Sequence, residues 1–217
     1  MARPPVLLDR NRIFLAFSTA ILGLAAGFYG LIASLPGKAV VTEDELWAAS
    51  LANLSFLKSI AFVLRFDNHP PLYYMQLNLW ALAGHGDRWL QLNSAFWLLA
   101  TGAVVLALVR RRAGVVAALI AAGLALSSPI LVDYALELRM YAFLGFLSVL
   151  GLLLAERLLE TIARTGTAPR RQWLAIFLGC LAIIYSFAIG PIIIVAHFVY
   201  GTLIARRVGL GRGFHLR

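Results

Sequence analysis

Residues 89–132 decide the fold, and they read WLQLNSAFWLLATGAVVLALV, then RRR at positions 110–112, then AGVVAALIAAGLALSSPILV. Each apolar block is close to the ~20 residues that an α-helix needs to cross a bilayer. The three arginines between the blocks favour a short turn on the cytoplasmic side of a membrane. The stretch therefore predicts two antiparallel membrane-spanning helices.

The composition of the whole chain agrees with this interpretation. Apolar side chains make up 61% of the 217 residues and charged side chains only 13%, whereas soluble domains carry about 25% charged residues. A single cysteine, Cys180, excludes a disulfide scaffold, and the abundant aliphatic residues exclude a disordered chain. We expect a membrane protein in which Cys180 is inert packing.

Further apolar runs complete a prediction of six spans. Residues 13–35 exceed the ~7–15 residues of a signal-peptide core and are interpreted as a retained first span. Residues 140–159 form the fourth span. The run 172–205 is too long for one crossing, and Gly190-Pro191 near its middle would break a helix, so we interpret it as two spans. The predicted fold class is an all-α, polytopic transmembrane helix bundle.

The basic residues orient this bundle. Six spans place both termini on one side, which collects fourteen arginines against three acidic residues, whereas the other side holds five basic and seven acidic residues. Cytoplasmic segments carry the excess of Lys and Arg. We therefore expect a multi-pass protein of the bacterial inner (plasma) membrane with both termini in the cytoplasm. The net charge of +9 then reflects topology, and no nucleic-acid partner is expected.

A long first outer loop, residues 36–88, contains the segment that fits this scheme least well. Residues 69–84 are apolar enough to enter a bilayer, but a full crossing there would move residues 110–112 to the outer face. We therefore expect a re-entrant or interfacial helix there, and helices along the membrane surface in residues 46–66. No linker divides the chain, so residues 1–217 are expected to form a single transmembrane module.

Three groups of ionisable residues on the outer face are candidates for chemistry, because such groups are costly near a membrane unless they are used or paired. The first is Thr42-Glu43-Asp44-Glu45. Thr42 with Glu45 three residues later is a capping-box pattern, and Asp44 would favour the helix dipole. Alternatively, Asp44 or Glu45 is a general base, since partial desolvation raises the pKa of a carboxylate. Both interpretations hold if Glu45 caps the helix and Asp44 faces a cavity.

The second group is the motif HPPLYY at positions 69–74. Two successive prolines keep the chain extended before a helix begins. By spacing alone, His69 is expected to be a hydrogen-bonded residue at the start of a helix rather than a catalytic one. Tyr73 and Tyr74 are expected to be aromatic residues of the membrane interface. His69 nevertheless lies in the same outer loop as Asp44.

The third group is DYALELRMY at positions 133–141, the short outer turn between the third and fourth spans. Glu137 and Tyr141 are four residues apart and would share a helix face. One interpretation is a local network in which Glu137 pairs with Arg139 or Arg88. The other is that an arginine holds a lipid-linked phosphate, to which its forked donors are suited.

In their order, spacing and position relative to the spans, these three motifs resemble the bacterial relatives of the dolichyl-phosphate-mannose protein mannosyltransferases, membrane glycosyltransferases of the GT-C class. The resemblance covers nearly the whole chain. It implies transfer of a hexose from a polyprenyl-phosphate-linked donor to an acceptor on the outer face, with inversion at the anomeric carbon. By the same resemblance, Asp44 is the base that acts on the acceptor hydroxyl, and Glu45 is its companion.

The same resemblance assigns the other candidates to the donor. Arg139, oriented by Glu137, would lie near the phosphate, His69 would line the same cavity, and Tyr141 belongs to the same motif; Arg88 is a phosphate candidate on charge alone. No metal or other cofactor is expected. Guanidinium groups can stabilise the charge that develops on the phosphate leaving group, and no His or Cys pair has convincing ligand spacing.

Two features depart from the family. Its members commonly run to about twice this length, whereas this chain ends after a basic tail at residues 206–217, and Phe187 stands where relatives often carry a histidine. We expect that the C-terminal spans of full-length relatives are missing and that a partner subunit would supply them. The alternative function is a non-catalytic or truncated membrane protein that binds the lipid-phosphate sugar or a partner subunit. A transporter is disfavoured, because no ionisable group lies in the middle of a predicted span.

Overall fold

The computed structural model of the protein describes Gly27, Gly30 and residues 42–207. Residues 42–207 contain eight α-helices and no strand, which confirms the predicted all-α class for this part of the chain. The helices are α1 (Glu43–Ala52), α2 (Phe56–Phe66), α3 (Leu72–Ala81), α4 (Asp87–Leu126), α5 (Pro129–Leu136), α6 (Tyr141–Thr165), α7 (Arg170–Ile184) and α8 (Gly190–Arg207). Apart from the two glycines, the predicted first span lies outside the described residues.

Two of the described helices, α4 and α6, are long and apolar enough to cross a membrane by length and composition. Helix α4 has 40 residues and α6 has 25. Helix α8 is also apolar but shorter, and α7 has 15 residues. Membrane association is therefore supported by α4 and α6.

Helix α4 reverses direction at Gly114, whose φ of 82° and ψ of −178° lie outside the helical region. Residues with a Cβ atom rarely adopt such a positive φ, so glycine suits this position. A Cβ atom on Gly102 would lie 2.9 Å from the side chain of Leu126, although an uninterrupted helix would separate these residues by about 36 Å. The apolar blocks on either side of the three arginines therefore form the antiparallel pair that the sequence predicts.

Helix α6 lies at the centre of the bundle and packs against α4, α5, α7 and α8. Helix α7 ends at Ile184, and after a short turn α8 begins at Gly190. Glycine is required there because a Cβ atom would collide with the carbonyl group of Ile183. The break predicted at Gly190-Pro191 is confirmed, and both residues lie in the first turn of α8.

The short helices α1 and α2 both pack on α3, and α3 also packs on α4. The side chain of Asn78 in α3 donates a 2.7 Å hydrogen bond to the carbonyl oxygen of Leu54, and the amide of Leu72 donates one of 2.9 Å to the carbonyl oxygen of Tyr185. The ten residues of α3 span about 15 Å, which is half the thickness of a bilayer core. Helix α3 is therefore too short to cross a bilayer by itself.

Tyr73 and Tyr74 in α3 are buried, with exposed fractions of 1% and 4%. Their interpretation as interface aromatics is therefore wrong. They belong to a core cluster that also includes Val63 of α2, Leu77 of α3 and Met140 beside α6. Protein side chains from neighbouring elements thus surround the two rings, a consequence of tertiary packing that their local sequence does not encode.

Candidate functional site

A cavity of about 280 Å³ lies where α1, the α2–α3 turn and the α5–α6 turn meet. Its wall includes Asp44 from α1, Asp67 and His69 from the α2–α3 turn, and Arg139 from the α5–α6 turn. Each of the three sequence motifs therefore contributes to one cavity, although they are far apart along the chain.

Glu45 lies beside this cavity and connects two of the segments that form it, α1 and the α5–α6 turn. One carboxylate oxygen accepts hydrogen bonds from the amide (2.9 Å) and the hydroxyl (3.1 Å) of Thr42, and the amide of Glu45 donates to the Thr42 hydroxyl (3.3 Å). This is the predicted capping box. The other carboxylate oxygen accepts a 3.0 Å hydrogen bond from the amide of Leu138. Glu45 is only 1% exposed, so its carboxylate anchors α1 to the α5–α6 turn.

The chain leaves the helical conformation at Glu137, where the α5–α6 turn begins. Helix α5 ends at Leu136, and Glu137 has φ −96° and ψ 138°. The hydroxyl of Ser94 donates a 2.5 Å hydrogen bond to the carbonyl oxygen of Glu137, while the next residue donates its amide to Glu45. These two tertiary hydrogen bonds draw the chain out of the helix. The prediction that Glu137 and Tyr141 share a helix face is therefore wrong.

Arg139 in this turn forms an ion pair with Asp44. The guanidinium also donates a 3.2 Å hydrogen bond to the hydroxyl of Tyr141 and lies 5.4 Å from the centre of that ring. The side chain of Arg139 is 14% exposed, whereas that of Asp44 is 67% exposed. Within residues 42–207, the Nε atom of Arg139 is buried and makes no hydrogen bond. The guanidinium is thus held in the wall, while the carboxylate stays accessible.

Asp67, which the sequence analysis did not single out, organises the α2–α3 turn. Its Oδ1 atom accepts a 2.8 Å hydrogen bond from the amide of His69 and also lies 2.8 Å from Nδ1 of the His69 ring. Its Oδ2 atom accepts a 2.7 Å hydrogen bond from Nε1 of Trp47. Burial by itself raises the pKa of Asp67, but hydrogen bonds from His69, Trp47 and Tyr74 outweigh this effect and lower the pKa. Asp67 is therefore an ionised, fully engaged carboxylate.

One local signal points to Asp67. Its carboxylate accepts the amide two residues further along, which is a common turn-forming bond of aspartate. The bond to the indole of Trp47 and the stacking of His69 on Phe187, with ring centres 5.6 Å apart and planes at 6°, join segments distant in sequence. No spacing rule predicts those contacts.

The remaining predicted site residues lie outside the cavity wall. Tyr141 reaches the cavity through Arg139 and stands edge-on to Phe187, with ring centres 5.8 Å apart. Arg88 lies in the first turn of α4 and Glu137 in the α5–α6 turn, and neither is a lining residue in the described part of the chain. Among the described residues, no three His, Cys, Asp or Glu side chains are grouped as a metal site.

Comparisons with known proteins find no match for this chain among protein-family profiles, curated sequences or solved structures. The relationship to GT-C glycosyltransferases therefore rests on the three motifs, and family membership stays a prediction.

Proposed function

We propose that the protein is a membrane glycosyltransferase of the GT-C type, which transfers a hexose from a polyprenyl-phosphate-linked donor to an acceptor hydroxyl on the outer face of the membrane. The observation that carries this proposal is the Asp44–Arg139 ion pair in the wall of a cavity that His69 also lines. A carboxylate and a guanidinium at one cavity are suited to remove a proton and to receive a phosphate leaving group.

The membrane topology belongs to the same proposal. We assign the six spans to residues 13–35, the two parts of α4 on either side of Gly114, and helices α6, α7 and α8. In this arrangement α1–α3 lie at the outer surface and both termini lie in the cytoplasm. Arg139 lies just before α6, and Glu156, which pairs with Arg112, lies about 22 Å further along this helix. The stretch of α6 between these two ionic groups carries no charged side chain, and its length of ~22 Å covers most of the ~30 Å apolar core of a bilayer.

Asp44 is the proposed base. The oxygen of the acceptor hydroxyl attacks the anomeric carbon of the hexose, the bond between that carbon and the phosphate oxygen breaks, and the hydroxyl proton passes to the Asp44 carboxylate. The carboxylates of Glu45 and Asp67 are occupied by hydrogen bonds within the protein. Asp44 differs from them because its side chain is 67% exposed, so an acceptor can approach it.

Arg139 is the proposed partner of the leaving phosphate. When Asp44 takes up a proton, its negative charge is neutralised and its attraction to the guanidinium weakens. The donors of Arg139 then stabilise the charge that develops on the phosphate oxygens. The hydrogen bond to Tyr141 keeps the guanidinium at the cavity during this exchange.

The test is turnover of a labelled polyprenyl-phosphate hexose in membranes that contain the full 217-residue chain. We expect the wild type to transfer the label, and we expect Asp44→Asn to lose activity by about 10²–10⁴-fold while it still inserts and folds. The matched control is Asp87→Asn, an exposed carboxylate in the first turn of α4, which should keep wild-type activity.

Two results would contradict this assignment. Full activity in Asp44→Asn would remove Asp44 as the base, and a loss confined to Glu43→Gln would assign that role to its neighbour. Absence of turnover in the wild type, with donor binding that Arg139→Ala weakens, would replace the transferase by a non-catalytic protein that binds the lipid-phosphate sugar.

A further inference from the structure

The pairing of His69 with Asp67 determines which ring nitrogen carries the proton. Nδ1 of His69 lies 2.8 Å from Oδ1 of Asp67. An ionised carboxylate can only accept hydrogen bonds, so Nδ1 must be the donor in this contact. In the neutral imidazole, Nε2 then holds a lone pair and is available to take up a proton.

The ring of His69 is also held in one orientation. It stacks on Phe187 at an angle of 6°, and the His69 amide donates a second hydrogen bond to Asp67. The indole of Trp47 fixes the other oxygen of that carboxylate. The His69 side chain is 30% exposed and lines the same cavity as Asp44. Within residues 42–207, the hydrogen bonds of His69 all go to Asp67.

We infer that Asp67 and His69 form a dyad that takes up the proton released in the transfer reaction. This inference rests on the proposed function. Asp44 removes the proton from the acceptor hydroxyl, Nε2 of His69 takes it from Asp44, and solvent water takes it from the exposed edge of the ring. The Asp44 carboxylate is thereby restored for the next turnover.

Each bond that forms in these steps is matched by one that breaks. The O–H bond of the acceptor and the hexose–phosphate bond break, and a hexose–acceptor bond and an N–H bond at Nε2 form. The polyprenyl phosphate leaves with the electron pair of the broken bond. Asp67 is a positioning residue, because it selects the tautomer and stabilises the imidazolium while its own oxygens are occupied by hydrogen bonds within the protein.

Nitrogen-15 NMR of the full chain, labelled at histidine and held in detergent micelles at neutral pH, tests the dyad without any substrate. The chain has four histidines, and the resonances missing from His69→Gln identify those of His69. We expect protonated Nδ1 and unprotonated Nε2 in the wild type, and a mixture of tautomers in Asp67→Ala, which removes the acceptor. A wild-type His69 protonated mainly on Nε2, or an unchanged tautomer in a folded Asp67→Ala variant, would overturn the inference.

Turnover measurements test the proton transfer itself. We expect His69→Gln to lower kcat by about 10²-fold with little change in the KM for the donor. The matched control is His85→Gln: His85 is an exposed histidine that lies 2.8 Å from the side-chain oxygen of Asn53, and its replacement should leave kcat unchanged.

The outcomes separate this inference from the proposed function. Full activity of His69→Gln, together with an inactive Asp44→Asn, would overturn the dyad and leave Asp44 as the base. A wild-type chain without turnover would overturn both the proton transfer and the proposed function, whatever tautomer the NMR measurement shows.

Discussion

One arginine–carboxylate pair lies just before α6 and a second lies about 22 Å further along this helix, and their burial is reversed. In the Asp44–Arg139 pair, the carboxylate is 67% exposed and the arginine 14%. In the Glu156–Arg112 pair, the carboxylate is 1% exposed and the arginine 46%. The same two chemical groups are therefore presented to their surroundings in opposite ways.

The buried member of each pair indicates its role. The Glu156 carboxylate accepts hydrogen bonds from Nε (3.1 Å) of Arg112 and from the hydroxyl of Tyr200, and it lies 3.0 Å from Nη2 of Arg112. A buried carboxylate with several donors is costly to remove, so this pair joins α4, α6 and α8. In the Asp44–Arg139 pair the carboxylate is the exposed member, so solvent and small molecules can reach it, which suits a group that exchanges protons.

The largest effect on folding is expected at Glu156. Glu156→Ala should lower the free energy of unfolding by about 2–4 kcal/mol, because Arg112 and Tyr200 lose their buried acceptor. Asp44→Asn should lower it less, by about 1 kcal/mol, because that side chain is mostly exposed and the asparagine oxygen can still accept a hydrogen bond from the partly buried Arg139. Unfolding by sodium dodecyl sulfate in mixed micelles measures both changes.

The matched control for this comparison is Glu160→Ala. Glu160 pairs with Arg111 one turn further along α6, and both side chains are 36% exposed, so its loss should cost about 0–1 kcal/mol. If Glu160→Ala or Asp44→Asn destabilised the protein as much as Glu156→Ala, burial would not explain the difference between the pairs.

An intermediate effect is expected at Glu45, which lies next to the exposed Asp44 but is buried like Glu156. Glu45→Ala should cost about 2 kcal/mol of unfolding free energy, because the amides of Thr42 and Leu138 lose their acceptor. Glu45→Gln keeps one acceptor oxygen and should cost less. Turnover of Glu45→Gln should exceed that of Asp44→Asn at least tenfold; equal losses would instead make Glu45 a partner in proton removal.

The smallest effect is a pH dependence at Asp67, whose pKa in the folded protein lies below its ordinary value of 3.8. The charged carboxylate therefore contributes stability above pH ~4, and this contribution is lost as the pH falls through the lowered pKa. Unfolding between pH 5 and pH 2, as rough limits set by that pKa, should show a steeper loss of stability for the wild type than for Asp67→Asn. Parallel curves would show that the hydrogen bonds to Asp67 do not favour its charged form.

The elements of this fold could be predicted where a local cause suffices. The hairpin in α4 follows from two apolar blocks around the arginines, the capping box follows from Thr42 and Glu45 three residues apart, and the start of α8 follows from Gly190-Pro191. The helix expected at Glu137 was wrong, because tertiary hydrogen bonds from Ser94 and to Glu45 compete with the local helical pattern.

In the candidate site, too, residue types could be predicted from local sequence but contacts between distant segments could not. Residue type and motif predicted Asp44, His69 and Arg139 as site residues, and these three line one cavity. The sequence did not predict that Arg139 pairs with Asp44, because the two residues are 95 positions apart. Nor did it predict that Trp47 and His69 both contact the carboxylate of Asp67, because this depends on how α1 packs against the α2–α3 turn.

The sequence by itself determined the all-helical class, the apolar blocks and the residues with reactive side chains, because hydrophobic length, capping and side-chain chemistry act over a few neighbouring residues. Only the tertiary structure decided which carboxylate is open and which is buried. Asp44 and Glu45 are adjacent in the chain, yet the first is mostly exposed and the second is enclosed by Thr42 and Leu138. Exposure and hydrogen bonding depend on the segments packed around a residue, and these come from remote parts of the chain.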